Sequence, residues 1–115
     1  MTTLYHNPRC SKSRAALTMC QASNREVNVR LYLNEPLSKK EINGILSRLD
    51  GPISRIIRTK DSKFKTVDST TLNLEQVESI AEFLFLHGHL MERPLLDDGT
   101  TAVIGRPVEN LNQLL

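Results

Sequence analysis

The first third of the chain, a short strand, a helix and a second strand, constrains the fold more than any other feature. The segment "TTLYH" at residues 2–6 consists of strand-favouring residues, with no breaker before Pro8. The segment "SKSRAALTMCQAS" predicts a helix because four of its smaller or apolar side chains share one face: Ala16, Met19, Cys20 and Ser23. The segment "EVNVRLYL" alternates Val27, Val29, Leu31 and Leu33, which predicts a strand buried on one face. A strand, helix and strand in this order form a parallel, right-handed unit.

The middle of the chain predicts helices. Residues 37–49 predict a helix whose N-terminus carries a capping box, Ser38 with Glu41 three residues later. The helix is expected to end before Gly51-Pro52. Residues 59–71 are polar and basic and predict a surface loop. Residues 73–89 predict a second helix, which Asn73 caps and Gly88 ends.

The C-terminal quarter predicts a hairpin and a last helix. Leu95–Leu96 and Ala102–Ile104 flank Asp98-Gly99, a typical hairpin turn, and Pro107 starts the helix. The whole order predicts a single α/β domain over residues 1–115. In it, helices cover a small mixed sheet and the middle of the chain forms a helical insert.

The composition excludes several classes of protein. The net charge is +2, too small to indicate a nucleic-acid or membrane partner. No apolar run is long enough to span a bilayer, and the first ten residues do not resemble a secretory signal. We therefore expect a cytoplasmic, monomeric protein in a reducing compartment, with both cysteines present as thiols.

The segment "HNPRCSKSR" places Cys10 in a cationic loop at the junction of a strand and a helix. No acidic residue occurs before Glu26. A helix N-terminus and nearby positive charge both lower the pKa of a thiol and attract oxyanions. The surrounding side chains are His6, Arg9, Lys12 and Arg14, with Ser11 and Ser13 as hydroxyl donors. The pattern predicts a reactive thiolate with an anion site beside it, to which we expect Ser13 to contribute.

The second cysteine, Cys20, is predicted to be a small core residue. Ten helical residues would separate it from Cys10 by about 15 Å, which is too far for a disulfide. Position 13 is Ser, so the Cys-x-x-Cys pair of a two-thiol redox centre is absent. His87 and His89 lie far from any cysteine pair, so we expect no metal site.

Four motifs, "YHNPRCSKSR", "IIRTK", "ERPLL" and "GRPVE", stand in this order along nearly the whole chain. They resemble the glutaredoxin-dependent arsenate reductase (ArsC-like) family. The resemblance implies a thioredoxin-like, three-layer α/β fold, with a mixed four-stranded sheet and a helical insertion.

The resemblance also implies roles for individual residues. Cys10 matches the catalytic cysteine, and His6 matches a histidine that helps to keep this thiol ionised. Arg58, Arg93 and Arg106 match the arginines that bind the oxyanion and its thiol adduct. Pro94 matches a proline that is cis in thioredoxin-like folds and lies near the cysteine.

The implied reaction is the reduction of arsenate to arsenite. Glutathione is the co-substrate and glutaredoxin the partner, with no tightly bound cofactor. Two alternatives stay open: a related thiol reductase that acts on another substrate, and an Spx-like redox regulator that binds RNA polymerase. The regulators usually carry Cys-x-x-Cys at this site, and Ser13 argues against that second alternative.

Overall fold

The computed structural model describes residues 1–115 and contains four strands and three α-helices. In chain order these are β1 (Thr2–Tyr5), α1 (Ser11–Ala22), β2 (Val27–Arg30), α2 (Lys39–Arg48), α3 (Val77–Leu86), β3 (Leu95–Asp97) and β4 (Ala102–Ile104). Short 3-10 helices lie at Ile53–Ile56, Ser62–Thr66, Gly88–Leu90 and Val108–Leu114. None of the helices is both long and apolar enough to cross a membrane.

The strands form one mixed sheet in the order β2-β1-β3-β4. Strand β1 pairs in parallel with β2 and antiparallel with β3, and β3 pairs antiparallel with β4. The helices between β2 and β3 form the insertion. The predicted thioredoxin-like α/β fold with a mixed four-stranded sheet and a helical insertion is confirmed.

Alternating strand residues divide the core into two apolar clusters, one on each face of the sheet. Leu4, Leu96 and Val103 pack with Ala16 and Cys20 of α1 and with the C-terminal 3-10 helix. Their neighbours along the strands, such as Tyr5 and Leu95, belong to a larger cluster with α2 and α3. The predicted place of Cys20 in the core is confirmed, since the side chain is buried.

Local sequence signals set several element boundaries. Ser38 and Glu41 form the predicted capping box of α2. The sequence predicts that Asn73 caps α3, but this prediction is wrong, since the N-cap residue is Gln76. The side-chain oxygen of Asn73 instead accepts a hydrogen bond from the Glu75 N–H and closes a local turn, and α3 begins only at Val77.

Strand β2 is shorter and more exposed than predicted. It ends at Arg30, and the side chains of Val29 and Leu33 are 38% and 44% exposed. The reason is its position at the edge of the sheet, together with a turn in which the Asn34 N–H donates to the Leu31 carbonyl. Tyr32, which the alternation of Leu31 and Leu33 would place on the exposed face, is instead only 3% exposed.

Two segments that follow α3, residues 93–94 and 105–107, lie close together, and each contains a cis peptide bond. The predicted cis bond, Arg93-Pro94, is confirmed, and Arg106-Pro107 is also cis, which the sequence did not indicate. The Gly105 N–H donates to the Pro94 carbonyl at 2.8 Å. A Cβ atom on Gly105 would lie only 2.8 Å from Cγ of Pro94 and 3.1 Å from Leu111. A side chain at this position therefore cannot fit without moving the segment.

We predict that Gly105→Ala lowers the free energy of unfolding by about 1–3 kcal/mol, because the added methyl group overpacks a tight contact. Gly88→Ala is the matched control, because a Cβ atom there meets nothing within 4 Å. Thermal or denaturant unfolding measures both changes. Equal stability of the two variants would contradict the packing argument.

Candidate active site

The site lies where β1 runs into α1. Cys10 is the N-cap residue of α1 and has extended backbone angles, φ −95° and ψ 123°. Its N–H donates to the Asn7 carbonyl at 3.0 Å, and its carbonyl accepts from the Arg14 N–H at 3.0 Å. The first-turn N–H groups of a helix have no partners within the helix. The sulfur of Cys10 is therefore held at the positive end of a 12-residue helix.

Two of the three predicted arginines lie at the sulfur. Nη2 of Arg106 is 3.7 Å from Sγ of Cys10, and Nε of Arg106 donates to the Arg93 carbonyl at 2.9 Å. Arg93 acts on the thiol through its guanidinium, whose Nε is buried without a hydrogen-bond partner. Arg58 joins the group indirectly, through an acidic residue rather than the sulfur.

That acidic residue is Glu92, which sequence reasoning did not single out. One of its oxygens, Oε1, lies 2.5 Å from Nη1 of Arg58 and 3.6 Å from Nε of Arg106. The same oxygen accepts from the Arg93 N–H at 3.1 Å. Glu92 stands inside the "ERPLL" motif, and a lone acid beside a predicted cationic site was the available signal. It orders the arginines and offsets part of their mutual repulsion.

His6 and Ser13 lie beneath the loop, and neither side chain is free to face solvent. Their exposures are 4% and 0%, and Nδ1 of His6 is 2.7 Å from Oγ of Ser13. The Asn7 N–H also donates to this hydroxyl, at 3.0 Å. Burial lowers the pKa of His6, its hydrogen bond with Ser13 raises it and the charge of Arg14 lowers it again. The net pKa lies below its ordinary value, which favours the neutral ring. The part of Ser13 that acts on Cys10 is its backbone N–H.

The surroundings of Cys10 favour the thiolate. Burial acts to raise the pKa of the thiol, but three donors outweigh it: the N–H of Ser13, the guanidinium of Arg93 and the N–H of Lys12. The net pKa lies below its ordinary value. For Cys20, burial alone acts and raises the pKa. Both cysteines are free thiols, and only Cys10 is placed to react as an anion.

A cleft of about 460 Å³ opens beside the site. The charged residues in its wall are Arg55, Arg58, Lys60, Asp61, Glu92 and Arg106. Both acids contact Arg58, and Glu92 also contacts Arg106. Arg55 and Lys60 are exposed and have no acidic partner, so the cleft presents unpaired positive charge on the side of Arg106, the lining residue that contacts the sulfur.

Residues 5–114 match the ArsC family. The chain is 34% identical to an arsenate reductase of Haemophilus influenzae over 113 residues, which is 97% of each protein. It superimposes on an arsenate reductase from Vibrio cholerae with a TM-score of 0.84 at 27% identity, covering 99% of this chain and 97% of the other. It is also 31% identical to the regulatory protein MgsR of Bacillus subtilis, over 90% of this chain and 81% of that protein.

We predict that Cys10 is alkylated faster than Cys20 at neutral pH, with a midpoint of its pH profile below that of an ordinary thiol. Arg93→Gln should move this midpoint upward, because the guanidinium favours the thiolate. Iodoacetamide labelling followed by peptide mass spectrometry reads each cysteine separately. Arg25→Gln, an exposed arginine near Asp98, is the control. An unchanged midpoint in Arg93→Gln would show that the guanidinium of Arg93 does not stabilise the Cys10 thiolate.

Proposed function

Because this chain belongs to the ArsC family, we propose that it reduces arsenate to arsenite through a thiolate adduct on Cys10, with glutathione and glutaredoxin as reductants. The observation that supports this most strongly is the guanidinium of Arg106 at 3.7 Å from the sulfur, with Arg93 beside it. A nucleophile and a pair of oxyanion donors then share one site. Planar guanidinium groups can offer paired donors to an oxyanion, which lysine cannot do.

The chemistry begins with attack of the Cys10 thiolate on arsenic, and one arsenate oxygen leaves as water. Arg93 and Arg106 hold the charged oxygens of the adduct. The sulfur of glutathione then attacks the sulfur of Cys10, and arsenite departs with two electrons. A disulfide between Cys10 and glutathione is left, which glutaredoxin reduces.

The second thiol has to come from outside the chain. Cys10 caps α1 and Cys20 lies in its last turn, so the helix holds them about 15 Å apart. Cys20 is also buried on the opposite face of the sheet from the main core. A soluble thiol therefore resolves the adduct, and the unpaired charges of Arg55 and Lys60 suit the two carboxylates of glutathione.

The likeness to MgsR supports one alternative, a redox regulator of the Spx type that binds RNA polymerase. A regulator of this type would use a reversible disulfide at Cys10. Ser13 occupies the position where such proteins usually carry the second cysteine, and its hydroxyl is committed to His6 and Asn7. Recovery of polymerase in a pull-down, with no turnover of arsenate, would favour the regulator.

We predict that the protein supports arsenate-dependent oxidation of NADPH when glutathione, glutathione reductase and glutaredoxin are present. Cys10→Ser should abolish this activity and keep the fold, since serine is a good N-cap residue. Cys20→Ser should keep the activity. Arg106→Gln should lower kcat/KM for arsenate by about 10²–10³-fold, because it removes a donor to the transition state. Activity in Cys10→Ser would refute the mechanism.

We predict that Arg55→Gln and Lys60→Gln raise the KM for glutathione several-fold and leave the KM for arsenate unchanged. Lys63→Gln, an exposed lysine outside the cleft, is the matched control. Cysteamine, a thiol without a carboxylate, should react equally with all four proteins. An equal loss with cysteamine would show that these residues do not recognise the carboxylates.

A further inference from the structure

The side chain of Tyr32 is a buried polar group that the proposed chemistry does not use. It is 3% exposed, and its hydroxyl is buried with no hydrogen-bond partner. A buried hydroxyl without a partner is unfavourable, and such groups are rare in folded proteins. The chain keeps this one although phenylalanine would fill the same space.

The fold places Tyr32 at the same edge of the sheet as the Cys10 loop. Arg30, the last residue of β2, pairs with Tyr5, and its carbonyl accepts a hydrogen bond from the His6 N–H at 3.0 Å. Both chain segments therefore leave the sheet side by side. The ring of Tyr32 belongs to the larger apolar cluster, together with Ile57 and Met91, which directly precede Arg58 and Glu92.

Only two buried side-chain polar atoms in the chain lack a partner: the hydroxyl of Tyr32 and Nε of Arg93. Both are hydrogen-bond donors, and Arg93 acts on the thiol of Cys10. Both donors are therefore open to an acceptor that the chain itself does not supply. An oxyanion is an acceptor at every oxygen, and it is the ligand that the neighbouring guanidinium groups favour.

We propose that the hydroxyl of Tyr32 donates a hydrogen bond to an oxygen of the oxyanion bound over Cys10, beside Nε–H of Arg93. This rests on the oxyanion site of the proposed function. In this arrangement the oxyanion reaches Cys10 from solvent and extends one oxygen inward, between the two unpaired donors.

The electrostatics of the hydroxyl agree with this role. Burial raises the pKa of Tyr32 to about 12, and the charges that act on it belong to the site, with Arg93 foremost and then Cys10. The phenol is therefore protonated at neutral pH and can donate, and it cannot serve as a base. For Tyr5, the other tyrosine, burial raises the pKa first, and the charges that act on it lie outside the site, foremost Asp97.

The chain has two tyrosines and no tryptophan, which makes a direct test available. In Tyr5→Phe, Tyr32 is the only phenol, and its ultraviolet spectrum reports on its hydrogen bond. Adding Cys10→Ser to this variant allows arsenate or phosphate to bind without reaction. We expect a phenol difference spectrum that saturates with oxyanion concentration.

Tyr32→Phe should weaken arsenate binding by about 10- to 100-fold, the effect of losing a hydrogen bond to a charged group. It should lower kcat/KM for arsenate and leave the KM for glutathione unchanged, whereas Tyr5→Phe should change neither. The melting temperature of Tyr32→Phe without ligand should stay equal or rise, because no partner is lost. A purely structural hydroxyl would instead lower it.

The outcomes separate this inference from the proposed function. A difference spectrum in the Tyr5→Phe, Cys10→Ser protein, together with no arsenite production by the wild-type protein, supports the Tyr32 contact and refutes arsenate reduction. Normal arsenate turnover with equally tight binding in Tyr32→Phe refutes the contact and keeps the function. Failure of any oxyanion to bind overturns both.

Discussion

A single carboxylate oxygen on Glu92 joins two of the guanidinium groups of the site and the backbone of the third arginine. Two like charges 4 Å apart near a protein surface repel each other by about 4 kcal/mol. Glu92 contacts the side chains of Arg58 and Arg106 and the backbone N–H of Arg93. Nη2 of Arg106 also lies 3.7 Å from Sγ of Cys10, which carries a negative charge when ionised. Arg106 therefore contacts both Glu92 and Cys10, and the remaining positive charge of the group is available to a bound oxyanion.

His6 and Ser13 affect the ionisation of the Cys10 thiol through their hydrogen bonds and not through a positive charge. A neutral, buried His6 cannot stabilise the thiolate as a cation, so the ionising role that the family resemblance implies for His6 stays a prediction. What the structure shows is a fixed contact between His6 and Ser13, and Ser13 offers its backbone N–H to the sulfur. The ring thus positions the first turn of α1. The thiolate is stabilised by backbone dipoles and arginines, which remain charged at any physiological pH.

Local signals in the sequence predicted much of the fold, because they act over a few residues. The capping box of Ser38 and Glu41 and the hairpin turn at Gly99, with φ 89°, are of this kind. Cys10 could also be found locally, from its charged neighbours and the start of a helix. Glu92 offered only its place beside Arg93 as a signal, and Tyr32 offered none, because their contacts depend on segments far apart in sequence. The alternation of Val27, Val29, Leu31 and Leu33 indicated a buried strand, but periodicity does not tell an edge strand from a central one.

The surroundings of Cys10 comprise two different regions, a buried one with unpaired hydrogen-bond donors and an open one with unpaired positive charge. The unpaired donors of Tyr32 and Arg93 are buried, where a small anion would be desolvated and held strongly. The unpaired charges of Arg55 and Lys60 line an open cleft that shares Arg106 with the site, and a larger thiol is proposed to bind there. Cys20 lies too far along α1 to assist, so the proposed mechanism requires the outer side of Cys10 to stay accessible to two successive partners. In the proposed mechanism, the buried donors would hold the oxyanion while the open side of the single reactive sulfur receives the reductant.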